Sequence, residues 1–247
     1  MSSGDPGAGT SAPGQRSDDV LPDPDDHGAA PQAARALFGE DLERAAAFVD
    51  LLAGPGIERG LIGPRESPRL WDRHVLNSAV LAELIPEGAV VADVGSGAGL
   101  PGVPLAIARP DLEIVLIEPM MRRTEFLAEV VEELSLQRVT IRRARAEDLD
   151  ARERFDVVTA RAVAPLTRLA KWTLPLLRPG GRLLALKGRT VSEELAESAA
   201  SLARMGAVSW TVEDVGHELV DPPARVAVVE RGRQRHEAKR RQRRKNT

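Results

Sequence analysis

The sequence predicts an α/β fold: a mostly parallel, doubly wound sheet with an antiparallel edge and extra N-terminal helices. Three observations predict it. Short β-branched runs alternate with helical periodicities from residue 89 onward, a glycine-rich turn joins the first of those runs to the helix after it, and two helical stripes precede them. The 247 residues suffice for one sizeable core. Segment 1–31 is rich in Gly, Ser, Pro and Asp and has little to bury, so it is expected to be disordered. Segment 32–230 is expected to be a single domain in which 32–87 form a helical extension.

Phe38, Leu42, Ala45, Val49 and Leu52 recur at spacings of three and four, which predicts a helix over 34–53 ended by Gly54-Pro55-Gly56. A second helix is expected over 68–84, with Ser67 as N-cap and Pro68 in its first position. AVVADV (89–94) reads as a buried strand, followed by the glycine turn and a helix from Pro101 to Arg109. Strand 113–118, helix 120–134, strand 138–143, strand 155–161 and helix 165–177 come next. Gly180-Gly181 is expected to turn the chain into strand 182–187, and a helix over 191–205 follows. Strands 208–215 and 225–230 have no helix between them, so they are expected to form the antiparallel edge.

Composition excludes several classes of chemistry. There is no cysteine, hence no disulfide framework, no cysteine-ligated zinc or iron–sulfur centre and no thiol nucleophile, and no metal site is expected. No apolar run reaches membrane-spanning length, and the N-terminus lacks the basic and apolar regions of a signal peptide, so a cytoplasmic protein without membrane association is expected. Charge is unevenly placed. Residues 231–247 hold nine Lys/Arg and one Glu, a net of +8, whereas the remainder of the chain carries −11. A basic, disordered tail on an acidic body suits a polyanion, although a merely solvated tail is the commoner outcome.

The strongest local motif is Asp93-Val94-Gly95-Ser96-Gly97-Ala98-Gly99-Leu100. Gly95, Gly97 and Gly99 allow a tight turn and close approach of backbone to a ligand, and open amides at the following helix start would favour a negative group. The turn could serve a dinucleotide or S-adenosylmethionine. Asp93 two residues before the first glycine, and a third glycine two residues after the second, favour S-adenosylmethionine. Glu118, ending the second strand, is placed to accept both ribose hydroxyls.

With these residues in place, the chain resembles the glucose-inhibited division protein B family, the bacterial small-subunit ribosomal RNA guanine-N7 methyltransferases. The matching stretches are RHVLNSA (73–79), VVADVGSGAGLPGVPLAIARP (90–110), RRTEFL (122–127), RAEDL (145–149), FDVVTARAVAPL (155–166) and GGRLLALKG (180–188). The chain departs from the family pattern at Asn77 and Gly60, where Asp and Asn are common. The resemblance implies a Rossmann-like class I methyltransferase fold, S-adenosyl-L-methionine as cofactor, and 16S rRNA or the small ribosomal subunit as partner, with the chain acting as a monomer. It carries cofactor contacts onto Gly95, Leu100, Ala146, Glu147 and Arg161, with Arg161 spanning cofactor and target nucleotide as the positioning residue of the reaction. His74 is expected as an RNA-side or a structural residue, Arg122 and Arg123 on the RNA side or in salt bridges to nearby acids, and Lys187 on the RNA side as a phosphate contact.

Guanine N7 carries an in-plane lone pair, so its methylation removes no proton and needs no general base. Carbon-5 pyrimidine transfer usually uses the cysteine this chain lacks. Exocyclic amino transfer usually uses an Asn/Asp-Pro-Pro-aromatic loop after strand four, where this chain reads Arg161-Ala162-Val163-Ala164. Asp221-Pro222-Pro223 precedes the last strand and lacks the aromatic. The competing readings are a methyltransferase for another RNA or a small molecule, an NAD-dependent dehydrogenase, and a non-catalytic RNA-binding protein on the same fold.

Overall fold

The computed structural model describes residues 30–150, 154–161 and 164–233. Segment 1–29 and most of the basic tail, 234–247, lie outside the described residues, as do the disorder expectations placed on them. Seven strands are described: β1 (Val90–Val94), β2 (Glu113–Ile117), β3 (Val139–Arg142), β4 (Phe155–Arg161), β5 (Leu177–Lys187), β6 (Ala207–Val215) and β7 (Ala224–Arg231). They form one sheet in the order β3-β2-β1-β4-β5-β7-β6. Strands β1 to β5 pair in parallel, and β7 inserts antiparallel between β5 and β6, which makes β6 the edge.

Side-chain alternation along the strands builds two apolar layers. Val91, Ile114, Leu116, Val157, Leu184 and Val226 point to one face, where α4 (Gly102–Ala108) and α5 (Met121–Glu133) pack with the N-terminal helices. Their neighbours Ala92, Ile117, Val158, Leu183 and Ala227 point to the other face, against α6 (Leu166–Thr173) and α7 (Val191–Arg204). Helices on both faces of a parallel sheet give the doubly wound architecture that the alternation predicts.

The N-terminal region differs from the expected pair of continuous helices. The first stripe is split into α1 (Gln32–Phe38) and α2 (Leu42–Leu51) because Gly39 takes a positive φ of 51° and ends the first piece. Gly54-Pro55-Gly56 does not end the second piece: the backbone widens into a π-type turn over Leu52–Gly56 and leaves the helix only at Gly60. The second helical run starts at Pro64, with Gly63 as its N-cap. It passes through wide and tight turns before and after the short α3 (Asn77–Ala79). Pro68 therefore lies inside the run and Ser67 is buried, not a cap.

Two further boundaries move. Strand β5 begins at Leu177, and Gly180-Gly181 lie within it at a register shift, where pairing passes from Phe155–Leu177 to Val157–Arg182. Arg231 belongs to β7, and its guanidinium donates to the carbonyls of Pro175 and Leu177, so it is part of the fold and not of the tail.

Phe48 of α2 is fully buried, and its ring lies against the turn at Gly99 beside Leu127 of α5. It thus joins the N-terminal helices to the sheet. Phe48→Ala should cost about 3–5 kcal/mol, read as a lower urea midpoint at unchanged slope and in a single transition. Two separate transitions would show that the N-terminal helices fold apart from the sheet.

Candidate active site

The strand order reverses between β1 and β4, and the carboxyl ends of strands at such a switch point open a crevice for ligands. Asp93 (β1), the residue after β2, Glu118, and Arg161 (β4) all lie at that edge. Register fixes this: Asp93 stands opposite Leu116 of β2 on one side and Thr159 of β4 on the other.

Asp93 is fully buried. Its Oδ2 accepts the N–H of Gly102 at 3.0 Å, and Thr159 Oγ1 donates to Oδ1 at 3.4 Å. Burial outweighs these bonds and pushes its pKa up from 3.8 to about 7. A Cβ at residue 102 would stand 2.8 Å from that carboxylate and 2.3 Å from Leu116 Cδ2, so only glycine lets the helix start come this close.

This contact corrects one expectation. Pro101 is the N-cap of α4 and not its first residue. The amides at the helix start are spoken for: Gly102 donates to Asp93, Val103 to Gly99 O and Leu105 to Pro101 O, and Pro104 has none. No open row of amides awaits an anion there.

The three turn glycines have different reasons. All have positive φ: 72° at Gly95, 58° at Gly97 and 93° at Gly99. At Gly97 a Cβ would meet only Gly95 O, at 3.8 Å, so its outer side is open. At Gly99 a Cβ would stand 2.7 Å from Val103 Cγ2 and 3.4 Å from the Phe48 ring, so glycine there is required by packing. Leu100 is buried in the same apolar layer.

Glu118 is buried, and its carboxylate faces the turn. Oε2 accepts the Gly97 N–H at 3.1 Å and lies 3.5 Å from Arg123 Nη1; Oε1 accepts the Met120 N–H at 3.0 Å. The arginine that opposes the α5 dipole in its first turn is thus compensated by a carboxylate. Arg122 is exposed. Ala146 is buried and Glu147 exposed on a single tight turn after β3.

Arg161 Nη2 lies 2.5 Å from Nδ1 of His74, and Nε2 of His74 lies 2.7 Å from Glu66 Oε2. A guanidinium can only donate, so Nδ1 accepts, and the ring proton sits on Nε2 and is donated to Glu66. Burial, then the Arg161 charge, hold the His74 pKa below its ordinary value, which favours the neutral ring. The bond to His74 in turn lowers the Glu66 pKa. Arg161 Nη1 is buried and has no hydrogen-bond partner.

Lys187 corrects another expectation. Its ammonium is nearly buried and bonds Ala164 O at 2.8 Å and Glu194 Oε1 at 2.9 Å. Glu194 also accepts the Leu166 N–H at 2.5 Å. Both charges are thereby used to pin the loop between β4 and α6 to α7, so Lys187 is not offered to a phosphate. Sequence reasoning did not assign Glu66 or Glu194 to the site, because only packing brings their partners beside them. The surface hollow lined by Glu113, Gln137 and Arg138 lies at the opposite, amino end of β2 and takes no part.

The donors and acceptors fit S-adenosylmethionine. There is an orphaned guanidinium N–H at Arg161, an open cradle over Gly97, and a buried carboxylate beside it at Glu118. The family model described as GidB, rRNA small subunit methyltransferase G, matches residues 41–220. The chain belongs to that family. It is 57% identical over 204 residues to the ribosomal RNA small subunit methyltransferase G of Streptomyces avermitilis, covering 82% of this chain and 86% of that one. It is 54% identical over 201 residues to that of Mycolicibacterium gilvum, covering 80% and 88%. Among solved structures it resembles a SAM-dependent O-methyltransferase from Thermotoga maritima with a TM-score of 0.51 and 17% identity, over 69% of this chain and 71% of that one. This last likeness supports the Rossmann-like fold of the family. Among the described residues no helix is long and apolar enough to cross a membrane.

An aspartate whose folded pKa of about 7 lies above its ordinary 3.8 binds its proton more tightly when folded. Its contribution to stability is complete below the lower value and is lost as pH rises through the higher one. Stability should therefore fall by on the order of a few kcal/mol as the carboxylate ionises. Asp93→Asn cannot ionise and should flatten that part of the profile of Tm against pH. Parallel profiles for the two proteins would show that Asp93 does not titrate in this range.

Proposed function

We propose that this chain transfers a methyl group from S-adenosyl-L-methionine to N7 of one guanine of 16S rRNA in the small ribosomal subunit. The observation that carries the reading is the Arg161 Nη1 donor, buried and unpartnered at the switch point, with the Glu118–Gly97 pair on the other side of β1. When bound, S-adenosylmethionine supplies an electrophilic methyl group on a sulfonium centre. Glu118 holds the ribose hydroxyls, the backbone at Gly95, Gly97 and Leu100 lies against the cofactor, and Ala146 and Glu147 meet the adenine edge. Arg161 orients the reacting groups. Alignment supplies most of the rate, because N7 has its lone pair ready.

The titratable groups suit a reaction without a general base. Asp93 is sealed between Gly102 and Thr159, and both ring nitrogens of His74 are engaged. Arg122 and Arg123 sit on the RNA side, whereas His74, buried with both ring nitrogens engaged, does not reach the RNA itself. Residues 32–231 work as one methyltransferase domain of a cytoplasmic monomer, with 32–87 as its helical extension. The basic residues after Arg231 add rRNA phosphate contacts that weaken as salt rises.

The test is methyl transfer to small subunits from a strain that lacks the modification, followed by chemical cleavage at N7-methylguanine. Incorporation at a base that resists such cleavage would refute the N7 reading, and transfer to none of the subunit RNA would refute the substrate. Gly97→Asp places a charged side chain in the open cradle and should weaken S-adenosylmethionine binding about 100-fold (~2.7 kcal/mol), measured by calorimetry. Arg161→Ala should lower the single-turnover rate about 100-fold or more with little change in Tm, since it also removes a buried, partly unsatisfied cation. Unchanged turnover would remove Arg161 from the site.

A further inference from the structure

Arg161 ends β4, where it could adopt many rotamers, yet one of its terminal nitrogens is tied and the other is not. Nη2 donates to His74 Nδ1, and Nη1 is buried without a partner. His74 is itself fixed. It is 7% exposed, its Nε2–H is donated to Glu66, and Ser78 Oγ donates to its backbone carbonyl at 2.6 Å. Glu66 lies on the tight turn Pro64–Arg69, an element that carries no residue of the proposed cofactor site.

We propose that Glu66 is a positioning residue: acting through His74, it holds the Arg161 guanidinium so that Nη1 is presented to an oxygen acceptor of the bound reactants. This rests on the proposed methyl transfer. The physical argument is one of tautomers. A neutral imidazole has one donor and one acceptor nitrogen, and the hydrogen bond at one decides the role of the other. A carboxylate at Glu66 only accepts, so it forces the proton onto Nε2 and leaves the Nδ1 lone pair for Arg161. Without that carboxylate the proton is free to move to Nδ1, where it would oppose the guanidinium. Protonation of the ring does the same and adds like-charge repulsion.

The charged groups around His74 set the sign of the pH effect. Arg161 on β4 and Arg73 on its own helical run disfavour the imidazolium, whereas Glu66 favours it. Asp93 on β1 and Arg73 also act on Arg161, and Arg69 acts on Glu66. Removing the Glu66 charge therefore makes His74 harder to protonate. A loss of activity caused only by local unfolding would not shift an acid limb in that direction.

The acceptor on Nη1 has two sources of the same chemistry, the carboxylate of the cofactor and O6 of the target guanine. The experiment uses the full chain, 15N-labelled in histidine, with Glu66→Gln and Glu66→Ala variants. NMR of the imidazole nitrogens should show His74 in the wild type with a proton on Nε2, titrating below an ordinary histidine, and titrating lower still in the variants. Single-turnover methylation of unmodified small subunits should fall about tenfold or more in Glu66→Ala and less in Glu66→Gln, which retains an acceptor oxygen. The acid limb of both should move to lower pH. Weaker S-adenosylhomocysteine binding in Glu66→Ala assigns Nη1 to the cofactor carboxylate. Unchanged binding with a lower rate at saturating cofactor assigns it to the guanine.

A proton on Nδ1 in the wild type would overturn the proposal, as would variants with wild-type rate and acid limb. A wild type that shows the expected tautomer but does not methylate the subunit would refute the proposed substrate and leave the positioning chain standing.

Discussion

The bond between the Asp93 carboxylate and the Gly102 N–H is the constraint on which the site depends. It spans the glycine turn, bonding two residues nine positions apart and so joining the end of β1 to the start of α4. The turn is thereby held at the switch point with its outer side open at Gly97 and its inner side packed at Gly99. The arrangement raises the Asp93 pKa, because the carboxylate that clamps the loop must be taken fully out of water. A charge-assisted bond in so dry a place is strong, but the group that makes it is poised near neutrality.

The clamp also reassigns the backbone polar groups around it. The first amides of α4 are consumed internally, so binding at this edge falls to side chains and to the outer face of the turn. Glu118 and Arg161 then supply opposite charges to either side of β1, the first as a buried acceptor and the second as a buried donor with one nitrogen left over. The N-terminal helices enter the same construction twice. Phe48 supports the turn from below, and the run beginning at Pro64 brings Glu66 and His74 to Arg161. What looks along the chain like an appendage to the sheet is thus part of the wall of the site.

Much of this was legible in the sequence, because it rests on local rules. The twofold alternation of the strands, the helical stripes and the glycine turn each follow from backbone geometry within a few residues, and the parallel order follows from their alternation. The ends of β1, β2 and β4 could be named from the same pattern, and so could Asp93 and Glu118, while Arg161 was assigned by the family resemblance. Gly39 and Gly180-Gly181 show how weak a single punctuation mark is. Gly39 breaks a stripe that periodicity reads as unbroken, and the glycine pair sits inside a strand that it was expected to precede.

The sequence by itself determined the fold class, the turn and the family, since these depend on short-range geometry and on contiguous motifs. Tertiary structure alone decided which polar groups are free. Lys187 and Arg161 both end strands at the same edge, yet Lys187 is consumed by Glu194 and Ala164 whereas Arg161 keeps a nitrogen unpaired. His74 and Arg161 are 87 residues apart, and Glu66 precedes His74 through turns of unequal pitch, so no periodicity relates the three. Burial and pairing are properties of the folded neighbourhood: a side chain's charge is written in the sequence, but its partner is set by whichever distant segments the packing brings beside it.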